Sequence, residues 1–252
     1  MQDLHTKIIN LIREHHGMAH FKDFLNSINA DKNDIILALL ELEYQGKIKR
    51  KETNRYVPFT SATWVLADEQ GQTPTEEKCV YSIVISLPQN LPTNVRNILE
   101  QTIYSGASQI PLLKYDEAYQ AVFKRAQNEL LISSPFIDQI LLYYLNETRA
   151  RKILLLTDDI KNVLVKKISK TLPHVKIRTL AQYSGSSKML GVHAKLIIAD
   201  KETVLLGSAN ISSVHLVYDL DIGILFYCRK LAHELSKIFY LLWENADPVS
   251  TH

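Results

Sequence analysis

The sequence predicts an α/β sandwich with a central mixed sheet, preceded by a small domain of three short helices and a β-hairpin. Strand-like and helical runs alternate from Asp116 to Trp243, which is typical of an α/β fold. The first part of the chain instead contains amphipathic helical segments and a charged hairpin. A chain of 252 residues that is 46% hydrophobic and 22% charged is too apolar for disorder and long enough for both parts.

The small domain is predicted from apolar residues at helical spacing. Such residues recur in Leu4–Ile12 and in Phe21–Ile28, and Asp31 begins a third helix. Gly17 and Gly46 stand where the first and third helices would stop.

A charged hairpin follows the third helix, with its turn at Glu52–Asn54. This order of elements, with the passage Leu39–Arg50, resembles a winged helix-turn-helix module. The resemblance implies that the third helix reads a DNA groove. It also implies phosphate contacts by the basic hairpin residues Lys47, Lys49, Arg50, Lys51 and Arg55. A protein-docking or dimerisation module is the alternative, because acidic residues of the third helix such as Glu41 repel phosphate.

A polar, acidic segment, Ala67–Lys78, contains one Gly and one Pro and is typical of a linker. We therefore predict a winged-helix-like domain at residues 1–65, a linker at 66–79 and the larger domain at 80–252. A strand over Val80–Leu87 and a helix around Val95–Ile103 open that larger domain.

The larger domain is predicted from runs that alternate between the two periodicities. The predicted helices are Ala118–Asn128, Ile137–Thr148, Lys161–Thr171 and Leu231–Trp243. The predicted strands are Leu130–Ser133, Lys152–Thr157, Val175–Leu180, Val192–Ala199, Val204–Leu206 and Ile222–Tyr227. Their interleaving favours a central mixed sheet.

One predicted hairpin carries a group of polar residues. His193 and Lys195 are two positions apart, so a strand places them on one face. After a turn at Asp200–Thr203, the returning strand puts Ser208 and Asn210 on a common face, beside the first pair if the register is antiparallel. Lysine supplies charge, amide and hydroxyl groups supply donors, and histidine supplies a nucleophile or a proton carrier. This set of residues predicts a phosphate pocket.

The passage from His193 to Asn210 reads HxK(x4)D(x6)GSxN and resembles the signature of the phospholipase D superfamily. The resemblance implies a phosphodiesterase that needs no metal or other cofactor. His193 would attack phosphorus to form a phosphohistidine, Lys195 and Asn210 would hold the non-bridging oxygens, and Ser208 would support the pocket.

Two acidic residues complete the expected catalytic set. Asp200 lies at the turn of the hairpin, so we expect its role to be structural. Family members carry an acidic residue eleven positions after the motif asparagine, which here is Asp221. The resemblance implies that Asp221 orients His193. We expect His215, between these positions, to be an ordinary loop histidine without a paired carboxylate.

The family mechanism needs two histidines, whereas this chain has one copy of the motif. His174-Val175-Lys176 also reads HxK but lacks the aspartate and the GSxN sequence. We therefore expect a homodimer that brings His193 of each subunit to one interface.

The motif does not distinguish a nucleic-acid phosphodiester from a phospholipid. A single motif copy and a winged-helix-like module favour a DNA endonuclease, with restriction or phage defence as its expected setting and the proteins of such a system as its partners. The alternatives are a phospholipid phosphodiesterase or transphosphatidylase, and a catalytically silent DNA-binding regulator.

Composition and cysteine positions give the expected compartment. The formal charge is only +2, so attraction for a polyanion must come from local clusters. Cys79 and Cys228 lie far apart in sequence and form no CxxC pair, so we expect neither a disulfide framework nor a zinc ribbon. No early apolar run approaches a membrane-spanning length. These features predict a cytoplasmic protein without membrane contact.

Overall fold

The computed structural model describes residues 2–51, 59–67, 79–105, 110–159, 162–184 and 187–249. The chain forms two compact units. One comprises Met1–Ile83 and Leu91–Leu113, and the other comprises Val84–Asn90 and Lys114–His252. The domain limits drawn from the sequence stay a prediction, because most of the linker expected at 66–79 lies outside the described residues.

The N-terminal elements include the three predicted helices. The elements are α1 (Gln2–Glu14), β1 (Met18–His20), α2 (Phe21–Ser27), α3 (Lys32–Tyr44), β2 (Ile48–Arg50) and β3 (Thr63–Leu66). Asp31 caps α3, since its carboxylate accepts a hydrogen bond of 2.8 Å from the backbone N–H of Asn33. Gly17 and Gly46 have φ of 87° and 68°, which only glycine adopts without cost, so α1 and α3 end where predicted.

The structure differs from the sequence predictions for the hairpin and for helix α3. The strand that pairs with β2 is β3, which also pairs antiparallel with β1, and the predicted turn at Glu52–Asn54 lies outside the described residues. Helix α3 is buried at every position from Ile35 to Glu43. A helix must expose a face to enter a DNA groove, so the expectation that α3 reads DNA is wrong.

The remaining elements alternate as predicted. The helices are α4 (Thr93–Ser105), α5 (Tyr115–Arg125), α6 (Gln139–Glu147), α7 (Val163–Thr171), α8 (Ser213–Val217) and α9 (Arg229–Glu244). The strands are β4 (Val80–Ile85), β5 (Leu112–Lys114), β6 (Glu129–Ser133), β7 (Lys152–Leu156), β8 (Val175–Thr179), β9 (Gln182–Ser184), β10 (Ser187–Leu190), β11 (Leu196–Ala199), β12 (Thr203–Gly207), β13 (Ile222–Tyr227) and β14 (Asp247–Pro248).

A nine-stranded sheet runs in the order β14-β8-β7-β6-β11-β12-β13-β4-β5. Strands β6, β7 and β8 are parallel, whereas β11 is antiparallel to both β6 and β12, and β12 is antiparallel to β13. The predicted central mixed sheet is therefore confirmed. Helix α9 covers part of one face, where Phe239 and Trp243 pack in one buried cluster with Val204 and Phe226.

The cysteines differ from expectation. Neither Cys79 nor Cys228 is a free thiol, because both are disulfide-bonded. The sequence separation that argued against a disulfide does not limit how a fold places two residues, so that expectation was wrong. Among the described helices, none has the length and apolar character needed to cross a membrane.

Candidate active site

The motif hairpin is anchored at its turn by Asp200. Asp200 and Lys201 have φ of 51° and 55°, as in the tight turns that join antiparallel strands. The Asp200 carboxylate accepts hydrogen bonds of 2.8–2.9 Å from the backbone N–H groups of Gln127, Asn128 and Glu129. Asp200 thereby ties the hairpin to the beginning of β6, at the end of β11 away from His193.

His193 and Lys195 lie in a loop just before β11. Val192 donates its N–H to Asp158 at 3.0 Å, and Ser133 donates its hydroxyl to the Ala194 carbonyl at 2.9 Å. These bonds hold the loop at both ends. His193 is exposed, and the Nζ of Lys195 lies 3.4 Å from its Nε2 and 3.0 Å from its carbonyl oxygen.

Two opposing effects act on the pKa of the Lys195 ammonium. Partial burial lowers the pKa of its ammonium below the ordinary 10.5, and the carboxylate of Asp221 opposes that shift. Asp221 is therefore close enough for its charge to act on the Lys195 ammonium.

Four polar residues form a continuous hydrogen-bonded chain. Ser208 donates its hydroxyl to Asp221 at 2.5 Å, and the other carboxylate oxygen of Asp221 lies 2.7 Å from Nδ1 of His215. The Nε2 of His215 lies 2.6 Å from Nδ2 of Asn210. Ser208 and Asn210, which both follow β12, are thus joined through a histidine outside the motif. We call this chain the His215 network.

This network corrects two expectations. Asp221 bonds to Ser208 and His215, and the structure shows no hydrogen bond from it to His193 among the described contacts. His215 has a paired carboxylate after all. The cause is helix α8, which Ser212 caps and which places His215 over the carboxylate before the chain enters β13.

The strand ends explain why the four motif side chains do not share one strand face. Strand β11 begins at Leu196, which pairs with Leu206, and β12 ends one residue later, at Gly207. The Gly207 N–H still donates to the Lys195 carbonyl at 3.2 Å. The polar residues therefore lie on irregular backbone, where strand alternation no longer applies.

A buried tyrosine explains the motif glycine. A Cβ on Gly207 would overlap the hydroxyl of Tyr115, and so would a Cβ on Gly223 across the strand pair. Burial raises the pKa of Tyr115 to about 12, so its hydroxyl stays protonated beside the site. Tyr119 donates its hydroxyl to the backbone carbonyl of Asn210 at 3.2 Å and so fixes the end of the motif.

The His215 network also brings together groups that bind metals elsewhere. Ligand atoms of His215, Asp219 and Asp221 lie within 4.8 Å of one another. The 2.7 Å between His215 and Asp221 is a hydrogen-bond length, shorter than the roughly 3.4 Å between two ligands of one tetrahedral zinc ion with bonds of about 2.0–2.1 Å. We therefore interpret the group as a hydrogen-bond network.

The basic residues expected to bind phosphate have different surroundings. Lys47, Lys49 and Lys51 are exposed on or beside β2. Arg50 instead donates two hydrogen bonds, of 3.0 and 3.3 Å, to the buried Glu43, and its guanidinium lies over aromatic rings. This internal role corrects its assignment as a phosphate contact. Arg55 lies outside the described residues.

A comparison with family models matches residues 119–243 to the family described as cardiolipin synthase, PLD-like domain. The matched stretch contains the whole HxK(x4)D(x6)GSxN signature and the His215 network. The chain belongs to the phospholipase D superfamily. A search of curated proteins finds no match to this chain.

Solved structures resemble this phospholipase D superfamily chain at low identity. NucT from Helicobacter pylori is 15% identical with a TM-score of 0.48, covering 68% of this chain and 99% of its own. Nuc from Salmonella typhimurium, a phospholipase D family member, is 13% identical with a TM-score of 0.44, covering 68% and 98%. The archaeal chromatin protein TrmBL2 is 12% identical with a TM-score of 0.37, covering 97% and 99%.

Sequence reasoning missed three residues of this phospholipase D-like site. Ser86 is buried, donates its hydroxyl to the Asp219 carbonyl at 2.7 Å and accepts the Asp221 N–H at 2.6 Å. Nothing in the sequence near Ser86 or Tyr115 signals a role in a site formed so much later in the chain. His215 did carry a signal, since Asp219 is four residues later and such pairs meet on helices.

Proposed function

We propose that the chain is a metal-independent phosphodiesterase that cleaves DNA as an endonuclease through a phosphohistidine at His193. The observation that carries this proposal is the exposed His193 beside the Lys195 ammonium, within a complete superfamily signature. An exposed imidazole next to a fixed cation is suited to attack a phosphodiester that the cation holds.

The proposed reaction has two steps. The Nε2 of His193 attacks phosphorus, the bond from phosphorus to the leaving oxygen breaks, and a second histidine gives its proton to that oxygen. Water then attacks the phosphohistidine, the second histidine accepts the proton, and the bond between phosphorus and His193 breaks. Lys195 and Asn210 bind the non-bridging oxygens in both steps.

We infer that the second histidine is His193 of a second copy. Apolar side chains near the site are exposed on one face of the sheet, where Leu206 lies opposite Ile224, with Ile222 two residues away. Tyr218 and Leu220, just before β13, are also exposed. A monomer rarely leaves such a patch uncovered, so burial against the same patch of another copy supports a twofold dimer.

DNA as the substrate rests on the charge of the N-terminal region. Three exposed lysines lie on or beside β2: Lys47, Lys49 and Lys51. A row of cations of this kind suits binding of a phosphate backbone. In this proposal the strand β2, rather than helix α3, contacts DNA.

A phospholipid headgroup diester is the second candidate, because the exposed patch of Leu206, Ile222 and Ile224 would equally suit an acyl chain. The two candidates separate in one experiment. Purified protein in excess EDTA is given either labelled DNA or anionic phospholipid vesicles, and His193→Ala is the matched control. We expect DNA cleavage by the wild type alone. Headgroup release without DNA cleavage would reject the endonuclease proposal. DNA binding without any turnover would instead indicate a silent regulator.

A further inference from the structure

Phe136 is an exposed aromatic residue in a segment that is otherwise buried. Its side chain is 60% exposed, whereas every other residue from Leu131 to Ile137 is buried. Single exposed apolar residues are common on protein surfaces. The rigidity of the loop that carries Phe136, and its place beside the motif, set this ring apart from them.

Hydrogen bonds fix the backbone on both sides of the ring. The Ser134 hydroxyl donates to the Phe136 carbonyl at 2.7 Å, and the Thr157 hydroxyl donates to the Pro135 carbonyl at 3.2 Å. Ile137, the next residue, is 3% exposed and anchors the other side of the loop in the core. A ring on such a backbone loses little conformational entropy when it binds a partner.

The loop that carries Phe136 is also bonded to both parts of the active site. Ser133 donates its hydroxyl at 2.9 Å to the Ala194 carbonyl, which lies between the motif histidine and lysine. Ser134 accepts, at 3.1 Å, the N–H of Ile211, which directly follows the motif asparagine. The exposed ring therefore borders the place where the scissile phosphate would bind.

The chemistry of the proposed substrate supplies a partner for this ring. Each phosphate of DNA joins two nucleosides, so a flat base lies on either side of the bond that is cut. Stacking of bases on aromatic side chains is how proteins commonly bind single strands. In a duplex the neighbouring base pairs cover both faces of a base, so an aromatic side chain reaches a face only when the base leaves the stack.

We propose that Phe136 stacks on an unpaired base next to the scissile phosphate, which makes single-stranded DNA the preferred substrate. The inference rests on the proposed function, because it assumes that His193 and Lys195 receive a phosphodiester of DNA. No bond forms or breaks at Phe136, so its role is to select the substrate.

Three replacements of Phe136 separate an aromatic face from apolar bulk. Phe136→Trp keeps the face, Phe136→Leu keeps only an apolar side chain, and Phe136→Ala removes both. Leu241→Ala is the matched control, because Leu241 is 64% exposed and lines a surface pocket with Lys201, at the turn of the motif hairpin. This turn is at the end of β11 away from His193. Thermal unfolding shows whether each variant is folded.

Binding and cleavage are measured separately in excess EDTA. Fluorescence anisotropy gives the Kd for a labelled single strand, for the same strand with abasic sites and for the strand annealed to its complement. Each variant carries His193→Ala in this binding assay, so the DNA stays intact. The same Phe136 variants with His193 present give kcat/KM for cleavage of the single strand, and their oligomeric state is measured on the same samples.

The expected result is a loss that depends on both the ring and the base. Phe136→Ala and Phe136→Leu should weaken binding of the single strand by about five- to hundredfold, as expected for one lost base stack. They should lower kcat/KM by a similar factor. Phe136→Trp and Leu241→Ala should behave as the protein with Phe136. The abasic strand and the duplex should bind all variants alike.

Four results would overturn the inference. They are unchanged binding of the single strand by Phe136→Ala, an equal loss on the abasic strand or the duplex, full binding by Phe136→Leu, and loss of the dimer in Phe136→Ala. The third result would indicate an apolar contact, and the fourth would assign the ring to a subunit interface. Each leaves the proposed function standing if the wild type cleaves DNA.

Failure of the proposed function gives a different pattern. Absence of DNA cleavage by the wild type, together with ring-dependent binding of the single strand, would overturn the endonuclease proposal and support the base contact. Absence of DNA binding in every form of the protein would overturn both.

Discussion

Replacement of Asp200 tests whether this motif residue acts in folding or in chemistry. Its carboxylate accepts three backbone N–H groups at the beginning of β6, two in exposed settings and one, from Glu129, that is partly buried. Asp200→Ala removes all three acceptor contacts. It also places alanine at a φ of 51°, a conformation that aspartate and asparagine tolerate better.

The expected loss follows from these contacts. Water replaces the two exposed hydrogen bonds at little cost in stability. Loss of the partly buried hydrogen bond costs about 1–2 kcal/mol, and alanine in the left-handed backbone conformation costs about 1 kcal/mol more. Asp200→Ala should therefore lower the free energy of unfolding by about 2–3 kcal/mol. Asp200→Asn keeps one acceptor oxygen and the tolerated backbone, so about 1 kcal/mol is expected.

Urea unfolding followed by tryptophan fluorescence measures this loss. The chain has two tryptophans, and Trp64→Phe leaves Trp243, which is buried in the unit that contains Asp200. The midpoint should fall by roughly 1–2 M for Asp200→Ala. Folded Asp200→Ala should keep most of the phosphodiesterase activity. An unchanged midpoint together with lost activity would refute the structural role and assign Asp200 to the chemistry.

Three further predictions concern the site and the N-terminal region. Gly207→Ala should destabilise the protein by about 1–3 kcal/mol, because the new Cβ overlaps the Tyr115 hydroxyl. Adding Tyr115→Phe should restore part of that stability. Thermal unfolding of the single and double variants measures both effects. In the pH profile, activity should fall on the alkaline side below pH 10.5, where Lys195 loses its proton. Asp221→Asn should move this alkaline limb to lower pH, because it removes the charge that raises the pKa of Lys195. Movement of the limb to higher pH would contradict this electrostatic effect. Replacing Lys47, Lys49 and Lys51 by Gln should weaken DNA binding and reduce its dependence on salt concentration. Arg50→Gln should instead lower mainly the stability, because Arg50 pairs with Glu43. Fluorescence anisotropy of labelled DNA at several salt concentrations distinguishes the effect on binding from the effect on stability.

Local signals predicted the elements that depend on short stretches of chain. Strand β13 begins and ends where its apolar run does, and Asp31 and Gly46 bound α3 as capping chemistry requires. The mixed sheet also followed from the alternation of runs, because buried parallel strands such as β7 are continuously apolar.

The missed features depend on contacts between distant parts of the chain. The burial of α3 reflects packing around the whole helix, although its unbroken apolar run from Ile35 to Leu40 was an indication of it. The partner of Asp221 depended on helix α8, whose five residues give too weak a periodicity to predict. Ser86 reaches the loop of Asp221 across more than a hundred residues, which no local pattern encodes.

The central claim is that His193 cleaves phosphodiesters through a covalent intermediate without a metal ion. The direct measurement is mass spectrometry of acid-sensitive phosphate on the protein during cleavage of DNA in excess EDTA, with oligomeric state measured on the same samples. We expect a phosphorylated His193 in a dimeric wild type, and neither adduct nor cleavage in His193→Ala. Cleavage by His193→Ala at the wild-type rate, or cleavage that EDTA abolishes, would contradict it.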